Sequence, residues 1–469
     1  ARVIYNNVKN DKGYSKSRQN CFYISLSFVG GATMKWVSKE KGILKLSLAV
    51  LMVFSLLSVF ALAETIEVWL TGHSNEEMRI IRDLTDELFT PRTGIEVEYT
   101  LLSWADNENR FLLAAASGDA PDVGASGALF LPELGLRGAL IDLRTFPDFE
   151  EVYSRSYPNF YRSLTYQGVV FGIPYTANVT TAFQRTDILQ SIGVDEVRTW
   201  DELKTILPKL QANNSNFALQ WFMTETLYAD VNMFMWQRGA DDYSKDLTKS
   251  GYDDPEAIHA FTDYVELYTK YNIPKDIPVF QAFTTGELAI ALSYPYFYMS
   301  LLHGAPQIQG KWTMVQAPGY VIDGQLNRTT TGGGNSLGIF NSSKKKQQAW
   351  EFIKWITSEE VQLAISNRVM AQIQGAMFLP SNRGAALKLD VDPVVASSWD
   401  KALHEATSSV YGLVAPRHRR RYLQMAAQKS ILMGVDPETA MREAADEHNS
   451  EIARKQKEYD RYIKQLLGK

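Results

Sequence analysis

From Glu64 onwards, short apolar stretches alternate with amphipathic ones, and this alternation constrains the fold more than any other feature of the sequence. Residues 66–70 have the pattern of a strand, residues 76–89 that of a helix, and residues 95–99 that of the next strand. A strand, a helix and a strand in this order are typical of βαβ units and a mostly parallel sheet. The sequence therefore predicts an α/β fold.

The same rhythm continues along the chain, and 469 residues are too many for one ordinary core. Two α/β lobes are therefore expected, with the chain passing between them more than once. The pattern further predicts helices at 111–117, 131–136, 228–238, 255–271 and 437–467, one capped by Thr199 or Asp201, and one from Ser342 or Ser343 to Thr357; strands are predicted at 122–125, 217–223, 288–294 and between 311 and 340.

Residues 34–63 have the features of a secretory signal. Four lysines lie in the first part, residues 46–63 are almost wholly apolar, and the segment ends with the A-x-A spacing of a cleavage site. An uncleaved membrane anchor is the alternative, because 18 residues just reach the length of a membrane span. Residues 1–33 are interpreted as upstream translation or an artefact of expression.

Cysteine content and charge exclude several classes of function. Cys21 is the only cysteine, so the chain from Glu64 has no disulfide and no thiolate metal site. The first 63 residues hold 9 basic and 2 acidic residues, and the remainder has 39 basic and 51 acidic residues, a formal charge of −12. Nucleic acid is therefore not expected as a partner, because phosphate binding needs a basic face. No cofactor is expected either.

The stretch GGGNSLG at residues 332–338 contains the G-x-S-x-G pattern of serine hydrolases. In those enzymes the serine follows a strand and directly precedes a helix, which exposes its hydroxyl on a strained turn. Here three glycines come first, and the apolar run 336–340 predicts a strand. Ser336 is therefore interpreted as the start of a strand rather than as a nucleophile.

Other catalytic patterns are weak. The histidines form no H-x-x-x-H pair, so no metal site is predicted. A glycosidase needs two carboxylates that are close in space rather than at a fixed spacing in sequence. An exported carbohydrate-active enzyme with such a pair therefore remains an alternative.

Several aromatic residues stand just past predicted strands: Trp104, Trp221, Tyr294 and Tyr296. In α/β sheets, ligands bind outside the carboxyl ends of the strands, where such side chains can reach them. Flat aromatic faces suit the apolar faces of sugar rings, whose hydroxyls need hydrogen-bond partners. Packing in a core is the alternative for each of these aromatic residues.

The densest basic run is RHRRR at residues 417–421. It fits a solvated helix start or surface patch. It also fits a clamp for a carboxylated or phosphorylated ligand, because arginine binds such groups with two parallel hydrogen bonds.

Several short motifs occur in one order along the chain from Glu64: SGDAPDV at 117–123, GVVFGIPY at 168–175, TWDEL at 199–203, FTTGELAI at 283–290, AWEFIKW at 349–355 and PETAM at 437–441. With these motifs the chain resembles the extracellular solute-binding proteins of the maltose-binding-protein-like class. Members of that class capture sugars for bacterial ABC transporters.

The resemblance implies a periplasmic-binding-protein type II fold, in which two α/β lobes joined by a hinge crossed three times close on a carbohydrate. It places the first lobe at 64–177 and 317–376, and the second at 178–316 and 377–469. It further implies a monomeric, non-catalytic periplasmic protein that delivers its sugar to the ABC transporter permease subunits of the inner membrane. Peptides, polyamines and phosphorylated small molecules are alternative ligands within the class.

Position past a strand and the resemblance together give one set of candidate ligand-binding residues: His73, Ser74, Trp104, Ser126, Asn178, Trp221, Tyr296, Asn335 and Tyr422. Tyr296 and Tyr422 match ring-stacking aromatics, and Asn335 is expected at the cleft edge with the glycine backbone beside it. Ser126 replaces a bulky aromatic of some sugar-binding relatives, and FQR at 183–185 replaces their Tyr-Asn-Lys. The identity of the sugar therefore remains open.

Overall fold

The structure is a computed structural model that describes residues 22–27, 33–38, 64–219 and 227–466. Its contacts divide the chain into two units, Ala1–Glu64 and Thr65–Lys469. In the first unit, strand β1 (Phe22–Ser27) pairs antiparallel with β2 (Thr33–Ser38). The segment predicted as a signal begins within β2, and its residues 39–63 lie outside the described part of the chain.

Strands β3 to β17 follow in chain order: β3 (Glu64–Thr71), β4 (Ile95–Leu102), β5 (Val123–Gly127), β6 (Thr165–Tyr166), β7 (Val169–Val170), β8 (Ile173–Pro174), β9 (Asn178–Val179), β10 (Thr181–Gln184), β11 (Asn216–Ala218), β12 (Leu288–Ser293), β13 (Thr313–Gln316), β14 (Tyr320–Ile322), β15 (Gln325–Asn327), β16 (Gly332–Gly333) and β17 (Asn335–Ile339). A five-stranded sheet has the order β4-β3-β5-β17-β8, and a four-stranded sheet has the order β11-β12-β10-β13. Each of these two larger sheets lies in one lobe.

The helices cover the faces of the two sheets. They are α1 (Asn75–Leu84), which continues through a π-helical turn (Thr85–Phe89) into α2 (Thr90–Thr93), α3 (Asn107–Ser117), α4 (Leu131–Leu136), α5 (Phe149–Tyr153), α6 (Thr186–Ser191), α7 (Trp200–Ala212), α8 (Tyr228–Gln237), α9 (Pro255–Thr269), α10 (Val279–Thr285), α11 (Tyr296–Gly304), α12 (Lys346–Ile356), α13 (Glu359–Gln372), α14 (Arg383–Ala386), α15 (Pro393–Glu405), α16 (Pro416–Met433) and α17 (Pro437–Leu466). Short 3₁₀ turns lie at Leu143–Thr145, Pro158–Ser163 and Pro306–Ile308. Among the described residues, none of the helices is long and apolar enough to cross a membrane.

Both sheets mix parallel and antiparallel neighbours, so the prediction of a mostly parallel sheet is wrong. β3 is parallel to β5, and β11 is parallel to β12. In contrast, β10 and β17 run antiparallel to both of their neighbours. Each of these two strands directly follows a crossing between the lobes. β17 consequently starts where β3 ends, and Asn335 Nδ2 donates a hydrogen bond to the carbonyl of Thr71.

The chain crosses between the lobes three times, as expected. β9 makes the first crossing, and β16 makes the second and pairs antiparallel with it. In the third crossing the carbonyl of Leu379 accepts a hydrogen bond of 2.8 Å from the backbone N–H of Ala177. Three extended segments thus lie side by side and form the hinge.

The chain returns to the first lobe later in the sequence than the predicted boundary at residue 317. The hairpin of β14 and β15 stays with the second lobe, where the Tyr320 hydroxyl donates to Asp263 at 2.7 Å. The chain enters the five-stranded sheet only at Asn335. Because both stretches are short strands with similar patterns, the sequence did not show which sheet each joins.

Helix starts follow from local hydrogen bonds. Of the two caps predicted before α7, Thr199 is the one observed, and it forms a capping box with Glu202. The predicted serine cap before residue 346 is wrong, because the Ser343 hydroxyl donates to Asp122 at 2.6 Å and α12 begins only at Lys346. Ser343 therefore ties the loop after β17 to the start of β5.

The last helix, α17, packs against both cores, whereas residues 377–469 were expected in the second lobe alone. Ala440, Met441 and Ile452 lie in the core of the second lobe. Further along, Tyr459 is buried in the core of the first lobe, and its ring lies 5.8 Å from the Arg137 guanidinium. One helix thus bridges the two lobes.

Candidate functional site

Trp104 lies across the ends of two strands of the first lobe. Its side chain is 58% exposed, and it covers Gly72, the residue after β3. A Cβ atom on Gly72 would lie 2.3 Å from Trp104 Nε1, and the φ angle of Gly72 is +80°. Only glycine fits there, so the indole ring packs directly against the backbone of Gly72. The outer face of the ring remains open to a ligand.

Ser126 supports Trp104 rather than facing a ligand. Its hydroxyl is buried and donates to Asn107 Oδ1 at 2.7 Å. Asn107 Nδ2 in turn donates to the Trp104 carbonyl at 2.6 Å. The expectation that Ser126 contacts the ligand is therefore corrected, since a neighbouring side chain already occupies its hydroxyl.

A group of buried polar atoms lies beside the hinge in the first lobe. Four of them have no hydrogen-bond partner among the described residues: Thr71 Oγ1, His73 Nε2, Tyr175 OH and Asn335 Oδ1. His73 packs against Tyr175 with 5.6 Å between ring centroids, and the Tyr175 N–H donates to the Asn335 carbonyl at 2.8 Å. Buried polar groups are normally paired, so these atoms mark a place for ligand hydroxyls or water.

Two other predictions concern residues beside this group. Ser74 is exposed and forms a capping box with Glu77 at the start of α1, in which its hydroxyl accepts a hydrogen bond from the Glu77 backbone and can still donate one. A Cβ atom on Gly334 would lie 2.1 Å from the carbonyl oxygen of Thr176. Gly334 therefore lets two hinge segments approach each other closely, whereas a Cβ atom on Gly333 would meet open space. Ser336 is buried in β17, where it pairs with Ser126 and Pro174, and lies in a strand as expected.

On the second lobe, a buried ion pair defines a second polar group. Arg419 Nη1 donates to Asp242 Oδ2 at 2.7 Å. Asp242 also accepts from the Tyr252 hydroxyl at 3.1 Å and from Asn232 Nδ2 at 3.2 Å. Arg419 Nε and Nη2 and Asn232 Oδ1 have no partner in the described part of the chain. Neither Asn232 nor Asp242 was predicted from the sequence, in which only the arginine run at 417–421 indicates this region.

The two lobes meet at the start of α16. A narrow cavity of about 10 Å³ is lined by Leu129 of the first lobe and by second-lobe residues that include Tyr228, Asn232, Arg419 and Arg420. That volume is about enough for one water molecule. Arg417 bridges the lobes beside it and lies 3.4 Å from Glu133. The lobes are thus closed at this point.

The remaining predicted residues that the structure describes lie on separate elements of the hinge and the second lobe. Asn178 is exposed on the hinge strand β9. Tyr296 is 43% exposed at the start of α11, beside a groove of about 370 Å³ that Phe280 and Ser300 help to line. Tyr422 is corrected, because it lies in the second core with its ring 5.9 Å from that of His448. Trp221 lies outside the described residues.

His448 provides a test of this buried region. Burial, with a smaller contribution from Arg419, lowers the pKa of His448 from 6.5 to about 3. Below about pH 6.5 the unfolded chain takes up this proton and the folded chain does not, so the free energy of unfolding is expected to fall as the pH drops from 6.5 towards 3.

Urea unfolding at pH 7.5 and pH 5.0 measures this effect in the wild type and in His448→Gln. Wild type should lose about 2 kcal/mol more stability than the variant over this interval. Equal losses in the two proteins would show that His448 is not held neutral in the fold.

Comparison with known proteins identifies the family of this chain. The model of the bacterial extracellular solute-binding protein family matches residues 72–363, more than half of the chain. The chain belongs to this family. Its relatives include a binding protein of Brucella abortus, 23% identical over 312 residues, which cover 63% of this chain and 71% of that protein. The diacetylchitobiose binding protein DasA of Streptomyces coelicolor is 22% identical over 408 residues, 84% of this chain and 91% of the relative.

Solved structures share the fold of this solute-binding protein. The sugar-binding protein MalE of Xanthomonas citri has a TM-score of 0.74 at 19% identity, and the match covers 84% of this chain and 99% of that chain. A solute-binding protein of Thermotoga lettingae bound to α-D-tagatose has a TM-score of 0.66 at 22% identity, and the match covers 83% of this chain and 100% of that chain. The predicted periplasmic-binding-protein type II fold is confirmed.

The enzyme alternative finds no support in these results. The family is one of solute-binding proteins. Near the junction of the lobes, Asp241, Asp242 and Glu133 are each ion-paired with an arginine. A general acid needs a carboxyl group that can hold and release a proton at the reacting bond, and these three are already occupied.

Proposed function

We propose that this protein is the periplasmic substrate-binding component of an ABC transporter and captures a carbohydrate between its lobes. The observation that carries the proposal is the exposed face of Trp104 at the strand ends of the first lobe, together with buried polar atoms near the hinge that have no hydrogen-bond partner in the described chain. An aromatic face and hydrogen-bonding groups together match the two surfaces of a sugar ring. Relatives named for maltotriose and diacetylchitobiose agree with this ligand class.

Binding is coupled to closure of the lobes. A sugar that stacks on Trp104 and also reaches the second lobe binds the closed form better than the open form. It therefore shifts the population towards closure. Among the earlier candidates, His73 and Asn335 contribute polar contacts from the first lobe, Asn178 contributes from the hinge, and Tyr296 contributes an aromatic face from the second lobe.

The exported, closed monomer then delivers the sugar to the permease subunits in the inner membrane. The permease recognises the lobes only when both are in the closed arrangement, and opening releases the sugar. The protein needs neither a cofactor nor a metal for this cycle, because selective binding and closure are sufficient to capture and deliver a solute.

A thermal-shift screen over mono- and oligosaccharides, including uronic acids, tests the proposal. A ligand that binds only the folded state raises the melting temperature by mass action. At least one saccharide should do so and should be recovered chemically unchanged by mass spectrometry. Turnover of the sugar, or stabilisation by a peptide or polyamine alone, would contradict the proposal.

A further inference from the structure

The first turn of α16 carries two neighbouring arginines, Arg419 and Arg420, at the cavity between the lobes. They form the arginine pair. Arg419 is 4% exposed, and among the described residues its Nη1 nitrogen donates a hydrogen bond to the carboxylate of Asp242. Its Nε and Nη2 nitrogens are buried without a partner in the described part of the chain. A guanidinium has five N–H donors, so Arg419 retains donors for a further acceptor.

Arg420 is half-buried and has no ion-pair partner among the residues that the structure describes. Its guanidinium lies 5.0 Å from the ring centre of Tyr228, and its Nε nitrogen is buried without a partner among the described residues. No carboxylate oxygen of the described residues lies within 4.0 Å of an Arg420 side-chain nitrogen. Acidic side chains on neighbouring elements already bind other arginines; these are Asp241, Asp242 and Glu133. Of the described residues that line the cavity, two are arginines and one is an aspartate, so the described lining carries an excess of positive charge.

The position of the arginine pair adds to this excess. α16 is an 18-residue helix, and Ala415 before it supplies no side-chain cap. The positive end of the helix dipole therefore lies beside the arginine pair and favours a negative group there. Pro416 and Leu129 also line the cavity, so a group bound there touches both lobes.

We propose that the captured carbohydrate is acidic, and that its carboxylate binds to the arginine pair at the start of α16 when the lobes part there, since the cavity between the closed lobes holds only about one water molecule. This inference rests on the proposed function and names its substrate class, a saccharide that contains a uronic acid. Arg420 supplies the uncompensated charge, and Arg419, held in place by Asp242, supplies its free N–H donors. The planar guanidinium matches a carboxylate with two parallel hydrogen bonds.

Isothermal titration calorimetry with three probes tests the inference: a galacturonic acid disaccharide, its methyl ester and the corresponding neutral galactose disaccharide. Wild type should bind the acid at least tenfold more tightly than either neutral probe. Arg420→Gln should weaken binding of the acid by ten- to a hundredfold and leave binding of the neutral probes unchanged, because only the charged group is affected. The exposed neighbour Arg421 serves as the matched control, and Arg421→Gln should change neither affinity.

Two results would overturn the inference. One is equal or tighter binding of the neutral probes by wild type, and the other is an equal loss for all three probes in Arg420→Gln. Failure of every saccharide to bind wild type would instead overturn the proposed function. Urea unfolding of each variant is the control that tests whether the variant is folded.

Discussion

Replacing Arg419 by methionine is expected to lower the free energy of unfolding by about 3–5 kcal/mol. Asp242 is 1% exposed, and this substitution removes the cation that neutralises it. The Tyr252 hydroxyl and Asn232 amide still donate to the carboxylate, but neither carries a compensating charge. The cost arises because the remaining charge is left buried, and methionine fills most of the vacated volume.

Urea unfolding at pH 7 measures this loss in Arg419→Met, in Asp242→Asn and in the double variant. The double variant should be more stable than the sum of the two single losses predicts, because neither unpaired charge then remains. Arg421→Met, on the exposed side of the same helix, should stay within about 0.5 kcal/mol of wild type. A loss below about 1 kcal/mol in Arg419→Met would mean that water reaches Asp242 in the folded protein.

Replacing Trp104 by alanine is expected to weaken binding of the cognate carbohydrate by about ten- to a hundredfold. A sugar stacked on the open face of the indole would cover on the order of 100 Å² of ring surface, which corresponds to about 2.5 kcal/mol. The unfolding free energy should change by less than about 1 kcal/mol, since more than half of the side chain is exposed.

Calorimetric titration of Trp104→Ala measures this effect, and Leu113→Ala is its control. Leu113 is another exposed apolar side chain, 71% accessible, on the helix that begins three residues after Trp104. Its removal should leave the affinity unchanged. Unchanged affinity in Trp104→Ala would remove the main support for stacking at the ends of β3 and β5.

Local signals allowed many elements to be predicted from the sequence. The helix expected at 131–136 is α4, and the helices expected at 228–238 and 255–271 match α8 and α9 to within two residues. Proline, glycine and the apolar period mark such elements within one stretch of chain. Sheet pairing brings distant stretches together, and so the direction of β10 and β17 and the point of return to the first lobe were missed.

The candidate site was harder to predict for the same reason. Ser126 does follow a strand, but its partner Asn107 lies 19 positions earlier in the sequence, and no local pattern reveals that contact. Arg419 and Asp242 are 177 positions apart. The position of Trp104 at the end of a strand was predicted correctly, because a residue just past a strand can be recognised from the local sequence pattern.

The last helix has a consequence for how tightly any ligand is held. Ile452 and Tyr459, anchored in different lobes, are separated by only two helical turns, about 10 Å along the helix axis. Rotation of the lobes about the hinge must bend this short segment or break the contact between Tyr459 and Arg137. The free energy of that conformational change contributes to every measured dissociation constant. Substitutions on the outer surface of the protein, without any contact to sugar, can therefore adjust affinity while the choice of sugar stays the same.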